Sequence, residues 1–144
     1  MRKSLIGFVR HTARVALFLI LLSRFASAAQ DDEPAELLQF NRDIRPILSD
    51  ACFQCHGPDT QQRKGDLRLD AESQLFADRD GHRVLVPGDP AKSELFRRVA
   101  ATDPDEQMPP PSSGKHLSAE QIATLRRWIE QGAKWQGHWA FIPP

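Results

Sequence analysis

The apolar residues that follow Phe40 recur at the spacing of an α-helix and predict the first helix of the chain. Its apolar face is formed by Ile44, Ile47, Leu48, Ala51 and Cys55. Asn41 or Asp43 is the predicted N-cap, because either side chain can accept a hydrogen bond from a free backbone N–H group. Pro46 then falls in the first turn, where its missing N–H is not needed. We therefore expect this helix to begin at Asn41 or Asp43.

A second helix is predicted to begin at Pro90, because Asp89 is a suitable N-cap and proline is tolerated at the first helical position. It should end near Ala101. Its apolar face is formed by Leu95, Phe96, Val99 and Ala100.

A third helix is predicted over residues 119–131. Ser118 and Gln121 have the spacing of a capping box, and Leu117 with Ile122 has that of a hydrophobic staple. The apolar stripe is formed by Ile122, Leu125, Trp128 and Ile129. Gly132 follows as the C-cap.

The segments between these helices carry loop signals. Residues 57–88 are rich in Gly, Asp and Arg and predict a loop with one helical turn near 71–76. Residues 102–116 contain Pro104 and the run Pro109-Pro110-Pro111, which no helix can cross. The pattern as a whole predicts an all-α fold.

The composition narrows the class of protein. A chain of 144 residues with 40% hydrophobic residues suits one small domain. The 19 basic and 19 acidic groups balance overall, but residues 1–28 hold five basic groups and no acidic one, which leaves the remainder with a net charge of −5. Because its Lys and Arg are scattered singly, we expect no nucleic-acid partner and no anionic membrane surface.

The first 28 residues have the pattern of a secretory signal. A basic start precedes the apolar run VALFLILL at 15–22, and Ala26-Ser27-Ala28 is a small-residue cleavage site. The run is shorter than the roughly 20 residues that span a bilayer, which argues against an uncleaved anchor. We expect cleavage after Ala28, no membrane span in the mature chain, and export to the periplasm or the extracellular medium. Residues 29–38, acidic and proline-containing, are the predicted linker.

Both cysteines of the chain lie in one motif, Cys52-Phe53-Gln54-Cys55-His56. This is the C-x-x-C-H spacing of covalent haem attachment. Side chains three residues apart on a helical turn share a face, so both sulfurs can bond the two vinyl groups at one edge of the macrocycle. The histidine that follows can offer an imidazole nitrogen to the iron. The motif therefore predicts one haem c per chain.

The motif has two other possible interpretations, a disulfide and half of a zinc site. A C-x-x-C disulfide of the oxidoreductase kind goes with a βαβ pattern, which the sequence does not show. Half of a zinc site would need a second cysteine pair, and the chain has only these two cysteines.

Met108 is the favoured second axial ligand of the iron. It is the only methionine after the predicted cleavage site, and it lies in the polar, proline-rich segment EQMPPP. A thioether held there is pre-ordered at little entropic cost, and methionine ligation raises the reduction potential. The alternative ligands are His82, His116 and His138, since imidazole is also an axial base.

The order of these motifs resembles class I c-type cytochromes, and more closely the planctomycete-type cytochrome c domain found near the N-terminus of large exported proteins. The resemblance covers about residues 39–141. It rests on the segments FNRDIRPIL at 40–48, CFQCHG at 52–57, GDLRLD at 65–70, VPGDP at 86–90, SEL at 93–95, MPP at 108–110, LS at 117–118 and GA at 132–133.

The resemblance implies a helical domain over residues 39–134 wrapped around a covalently attached haem. Cys52 and Cys55 would be the thioether positions, His56 the proximal ligand and Met108 the distal ligand. Trp128 or Leu125 would meet Phe40 or Ile44 where the first and last helices cross. Similar proteins continue into further domains after the aromatic tail, so residues 135–144 are expected to begin a linker to a missing C-terminal domain.

The resulting hypothesis is an exported cytochrome c domain that passes single electrons between redox partner proteins and is not itself a catalyst. One rival is a haem enzyme or a sensor of peroxide or a small gas, in which Met108 leaves the iron open. The other is a docking module of a larger exported enzyme, in which the haem only holds the fold together.

Overall fold

The computed structural model describes residues 36–137. The predicted signal peptide, most of the predicted linker and His138 lie outside the described residues. Within residues 36–137, no helix is long and apolar enough to cross a membrane.

The regular structure of the described residues is mostly helical. Five α-helices follow one another as α1 (Arg45–Ala51), α2 (Phe53–His56), α3 (Glu72–Leu75), α4 (Glu94–Val99) and α5 (Ala119–Glu130). A π-helical turn at Phe40–Ile44 precedes α1, and 3₁₀ turns lie at Pro90–Lys92 and Pro111–Ser113. Two short antiparallel strands, β1 (Asp78–Arg79) and β2 (His82–Arg83), form a hairpin.

The first helical segment begins at Phe40, before either predicted cap. The wide π turn lets the Arg45 N–H bond the Phe40 carbonyl immediately before Pro46, which has no N–H to continue the ladder. The predicted cap was therefore wrong. The Asp43 carboxylate instead accepts a hydrogen bond from the N–H of Gln39, at 2.7 Å. This bond pairs the backbone donor of the residue just before the turn.

Residues 57–88 are mostly loop, and the predicted helical turn is confirmed as α3. The β1–β2 hairpin was not predicted. It turns at Asp80-Gly81, where both residues have positive φ, 55° and 85°. Asp-Gly is typical of such two-residue hairpin turns, because glycine and aspartate tolerate this conformation best.

The second predicted helix is broken in two. Asp89 does cap its start, because its Oδ1 accepts the Lys92 N–H at 3.1 Å. The 3₁₀ turn then stops, and α4 begins only after Ser93, whose backbone is extended. The cause is the buried Ser93 hydroxyl, which donates to the Asp89 carbonyl at 2.8 Å and accepts the Val86 N–H at 2.9 Å.

The third helix, α5, confirms the sequence prediction most closely. Ser118 Oγ accepts the Gln121 N–H at 3.2 Å, and Gln121 Oε1 accepts the Ser118 N–H at 2.9 Å, which is the predicted capping box. Gly132 follows with φ 95°, and the Ala133 N–H bonds the Trp128 carbonyl at 2.9 Å. This pair of features is the usual glycine-dependent end of a helix.

The two ends of the domain meet in a buried aromatic contact. The Phe40 and Trp128 rings are 5.6 Å apart between centroids, and both residues are buried. This is the helix contact that the resemblance implied. The Trp135 ring also packs on Phe40, with 4.0 Å between ring centroids, and the Asn41 side chain donates to the Gly137 carbonyl at 2.8 Å. Residues 135–137 therefore pack on the domain, beyond its predicted end at 134.

The chain reverses direction immediately after α2, at Gly57. The following loop folds back over the helix, because the Lys64 N–H bonds the Cys55 carbonyl and the Leu69 N–H bonds the His56 carbonyl, both at 2.8 Å. A Cβ atom on Gly57 would lie only 2.2 Å from the Phe53 carbonyl oxygen. Glycine is thus required by the close approach of two backbone segments.

Replacing Gly57 by alanine should destabilise the domain by about 1–3 kcal/mol, because the new methyl group must push the loop away from α2. Urea unfolding of the mature chain measures this change. Gly137→Ala is the matched control, since a Cβ there meets nothing within 4 Å. Equal free energies of unfolding for the two variants would show that the backbone at Gly57 does not approach the Phe53 carbonyl closely enough to exclude a methyl group.

Candidate cofactor site

The four residues predicted to contact a haem line one cavity. Cys52, Cys55, His56 and Met108 all border it, although Met108 is distant from the other three in sequence. The cavity has about 740 Å³ of empty space, including the part open to solvent. Its remaining walls are largely apolar and include Leu48, Ala51, Leu67, Leu69, Leu95, Val99, Pro109 and Pro110.

The two cysteines are presented by a single turn of helix. Cys52 joins α1 to α2, and its carbonyl accepts the N–H groups of Cys55 at 3.1 Å and His56 at 2.8 Å. Both cysteines are free and partly exposed. Burial raises the pKa of the Cys52 thiol to about 11, and the nearby Asp50 charge acts in the same direction. Cys52 is therefore a neutral thiol at physiological pH.

His56 presents a neutral imidazole to the same cavity. Burial is the main cause that lowers the pKa of His56. Its Nδ1 atom is buried and has no hydrogen-bond partner within the described part of the chain. Because buried polar atoms are nearly always paired, this nitrogen marks a place where the site is incomplete without a bound group.

Met108 is held at the cavity by the end of α4. Its N–H donates to the Arg98 carbonyl at 2.9 Å. The loop before it is organised by Asp103, whose carbonyl accepts the N–H groups of Glu106 and Gln107 at 3.1 and 2.9 Å. The Met108 side chain is half-buried, as expected of a residue on the wall of an open cavity. Met108, which the proline-rich sequence singled out, therefore has a fixed backbone position at the cavity wall.

The alternative histidine ligands are placed differently from Met108. A second pocket shares His56 and Met108 with this cavity and is also bordered by Arg79 and His82. His82 is exposed and does not border the first, apolar cavity. His116 is exposed and does not border the cavity.

Three charged residues at the cavity were not anticipated from the sequence. Glu94 and Arg98 border it from α4, and Lys115 from the loop before α5. Lys115 Nζ lies 3.0 Å from Asp50 Oδ1 and so links that loop to the end of α1. Only the spacing of Glu94 and Arg98, four residues apart, was visible as a local signal. Their approach to Met108 depends on the fold.

A zinc-type ligand set is not formed in the described residues. Between Glu36 and Gly137, no group of three or more His, Cys, Asp or Glu side chains is arranged to hold a metal ion. The residues present fit a haem instead, because two adjacent thiols, an unpartnered imidazole and a thioether border one apolar cavity.

Comparison with known proteins agrees with this fit. No curated protein and no solved structure matches the chain. Residues 52–112 match the model of a protein family described as Planctomycete cytochrome C. The matched range begins at the first cysteine of the motif and contains Cys55, His56 and Met108. Over this segment the chain is therefore similar to the planctomycete cytochrome C family.

Proposed function

We propose that this chain is an exported c-type cytochrome domain that carries one covalent haem c and transfers single electrons between redox partner proteins. The observation that carries the proposal is the convergence of Cys52, Cys55, His56 and Met108 on one apolar cavity. The similarity of residues 52–112 to a cytochrome c family supports haem binding and electron transfer. Export is inferred from the signal pattern of residues 1–28 and places the chain in the periplasm or the extracellular medium.

Each site residue has a separate role in this proposal. Cys52 and Cys55 would supply the two sulfurs of the thioether bonds, and His56 and Met108 would hold the iron. Bound haem would supply a one-electron couple between its ferrous and ferric states. With both protein ligands on the iron, external ligands would have no free coordination position, which suits an electron carrier.

The cavity walls support this role in two ways. The side chains of Leu67, Leu69 and Leu95 exclude water, and a less polar surrounding changes the relative stability of the two iron charge states. The neutral state of His56 leaves a nitrogen lone pair free for coordination. The site therefore needs no proton release from this imidazole before it binds a metal.

The second candidate function is a haem enzyme or a sensor of small ligands with an open distal position. The observation that favours it is the second pocket, which both Met108 and His82 border. Rapid binding of carbon monoxide to the ferrous protein would support this candidate, since a six-coordinate carrier resists it.

Covalent attachment is tested by mass spectrometry of the denatured mature chain made with a haem-attachment system. The wild type should carry the mass of one haem, and the Cys52→Ala/Cys55→Ala double variant should carry none, because no sulfur remains to form a thioether. His116→Ala is the control and should retain the haem. A wild type with no added mass and a Cys52–Cys55 disulfide would refute haem attachment.

Ligation by Met108 is tested in the visible spectrum of the ferric protein. The wild type should show the weak far-red band of sulfur-to-iron charge transfer, and Met108→Ala should lose it. His82→Ala changes a residue of the second pocket, which Met108 also borders, and should keep the band. If Met108→Ala leaves the spectrum unchanged and His82→Ala alters it, the distal ligand is histidine.

Export is tested by N-terminal sequencing of the protein recovered outside the cytoplasm. The mature chain should begin at Ala29. Ala28→Arg should block processing, because the cleavage site requires a small residue there. A chain recovered with Met1 intact in the wild type would contradict the predicted cleavage.

A further inference from the structure

Arg98 connects Met108 to the rigid part of the domain through both its backbone and its side chain. Its carbonyl accepts the Met108 N–H at 2.9 Å. Its guanidinium donates to Glu94 Oε1 at 2.7 Å and to the Glu106 carbonyl at 3.4 Å. The structure thus shows two hydrogen bonds between α4 and the described loop residues 103–108, and Arg98 takes part in both.

The backbone contact follows from the position of Arg98 near the end of a helix. The last carbonyls of a helix have no partner within it and accept donors from outside. The Met108 N–H fills this role for α4. Since Pro109 and Pro110 follow at once and have no N–H to donate, Met108 is the last residue of the loop that can make such a bond.

The side-chain contact is held by Glu94, one turn earlier on α4. The Glu94 side chain is only 25% exposed and borders the cavity. Hydrogen bonding from Arg98 is the main cause that lowers the pKa of Glu94, so this carboxylate is ionised at neutral pH. A charged, short bond between i and i+4 on one helix limits the directions in which the guanidinium can point.

We propose that Arg98 is a positioning residue that holds the loop of Met108 against α4 and so keeps the Met108 thioether at the iron. This inference rests on the proposed function, since it takes Met108 as the axial ligand. Arg98 acts through the loop backbone. The guanidinium fixes the loop at Glu106, and the carbonyl fixes it at Met108.

Arg97 is the matched control because it shares most features of Arg98. It lies on the same helix and bonds the same carboxylate, with Nη1 at 2.7 Å from Glu94 Oε2. It makes no hydrogen bond to residues 103–108 of the described chain and does not border the haem cavity. Loss of Arg97 therefore removes a charge and a Glu94 contact but leaves the hold on the loop.

The experiment measures how easily imidazole displaces the methionine from the ferric, haem-loaded chain at fixed pH, followed by loss of the far-red band. Arg98→Gln should bind imidazole roughly three- to tenfold more tightly than the wild type, the factor that one hydrogen bond is worth. Arg97→Gln should stay within twofold. Arg98→Lys should be intermediate, since one ammonium group can pair with Glu94 but does not reproduce the guanidinium fork.

Equal imidazole affinities for Arg98→Gln and the wild type would overturn the proposal. Equal changes in imidazole affinity for Arg98→Gln and Arg97→Gln would overturn it as well.

A second variant and a hydrogen-exchange measurement test the role of Arg98 independently of the imidazole titration. If Arg98→Gln does not fold, Glu94→Gln weakens the same hold and should shift imidazole binding in the same direction. Hydrogen exchange of the amides in 103–108 should be faster in Arg98→Gln than in Arg97→Gln, whatever ligates the iron. A wild type that carries haem but lacks the far-red band refutes Met108 as the ligand in the proposed function, whereas unchanged exchange in Arg98→Gln refutes the hold of Arg98 on the loop.

Discussion

The buried contact between Phe40 and Trp128 joins the two ends of a domain that has little regular structure between them. Between α2 and α5 the chain is mostly loop, with helices of only four and six residues. Such short helices are not stable alone and depend on tertiary packing. Phe40 precedes α1 directly, and the last residue of α1 is followed by Cys52. The packing of Phe40 against Trp128 and Trp135 therefore helps to fix where the cysteine motif lies relative to the last helix.

The elements that sequence predicted well are those whose signals are local. The capping box of α5 involves residues three apart, and the glycine at its end needs only its own φ. The break at Ser93 was not predictable in this way, because the bonds that cause it reach back to Val86 and Asp89. The β1–β2 hairpin had a local signal in Asp80-Gly81, but its strands are two residues long and lack an alternating pattern.

The residues of the candidate site also divide into those with a local sequence signal and those placed only by the fold. Cys52, Cys55 and His56 share one helical turn, so their spacing alone indicates how they are presented. Met108 was identified from composition and its proline-rich surroundings, and the fold then brings it to the same cavity. The contributions of Glu94, Arg98 and Lys115 could not be inferred. Each depends on contacts between segments whose relative position is fixed only when α1, α4 and α5 pack together.

The cavity combines an apolar interior with charged pairs at its border, and this division suits electron transfer. A neutral thiol at Cys52 and a neutral imidazole at His56 leave the interior without a fixed charge of its own. The charges at the border are paired, as in Lys115–Asp50 and Arg98–Glu94. Exposed pairs of this kind contribute little to stability, about 0–1 kcal/mol each. These residues connect loops to helices, so their main effect is on where the loops lie relative to the helices. A redox centre whose surroundings stay in place when its charge changes needs little rearrangement for each electron. In the proposed function, Arg98, paired with Glu94 and bonded to the Glu106 carbonyl, would keep the loop of Met108 in place in this way.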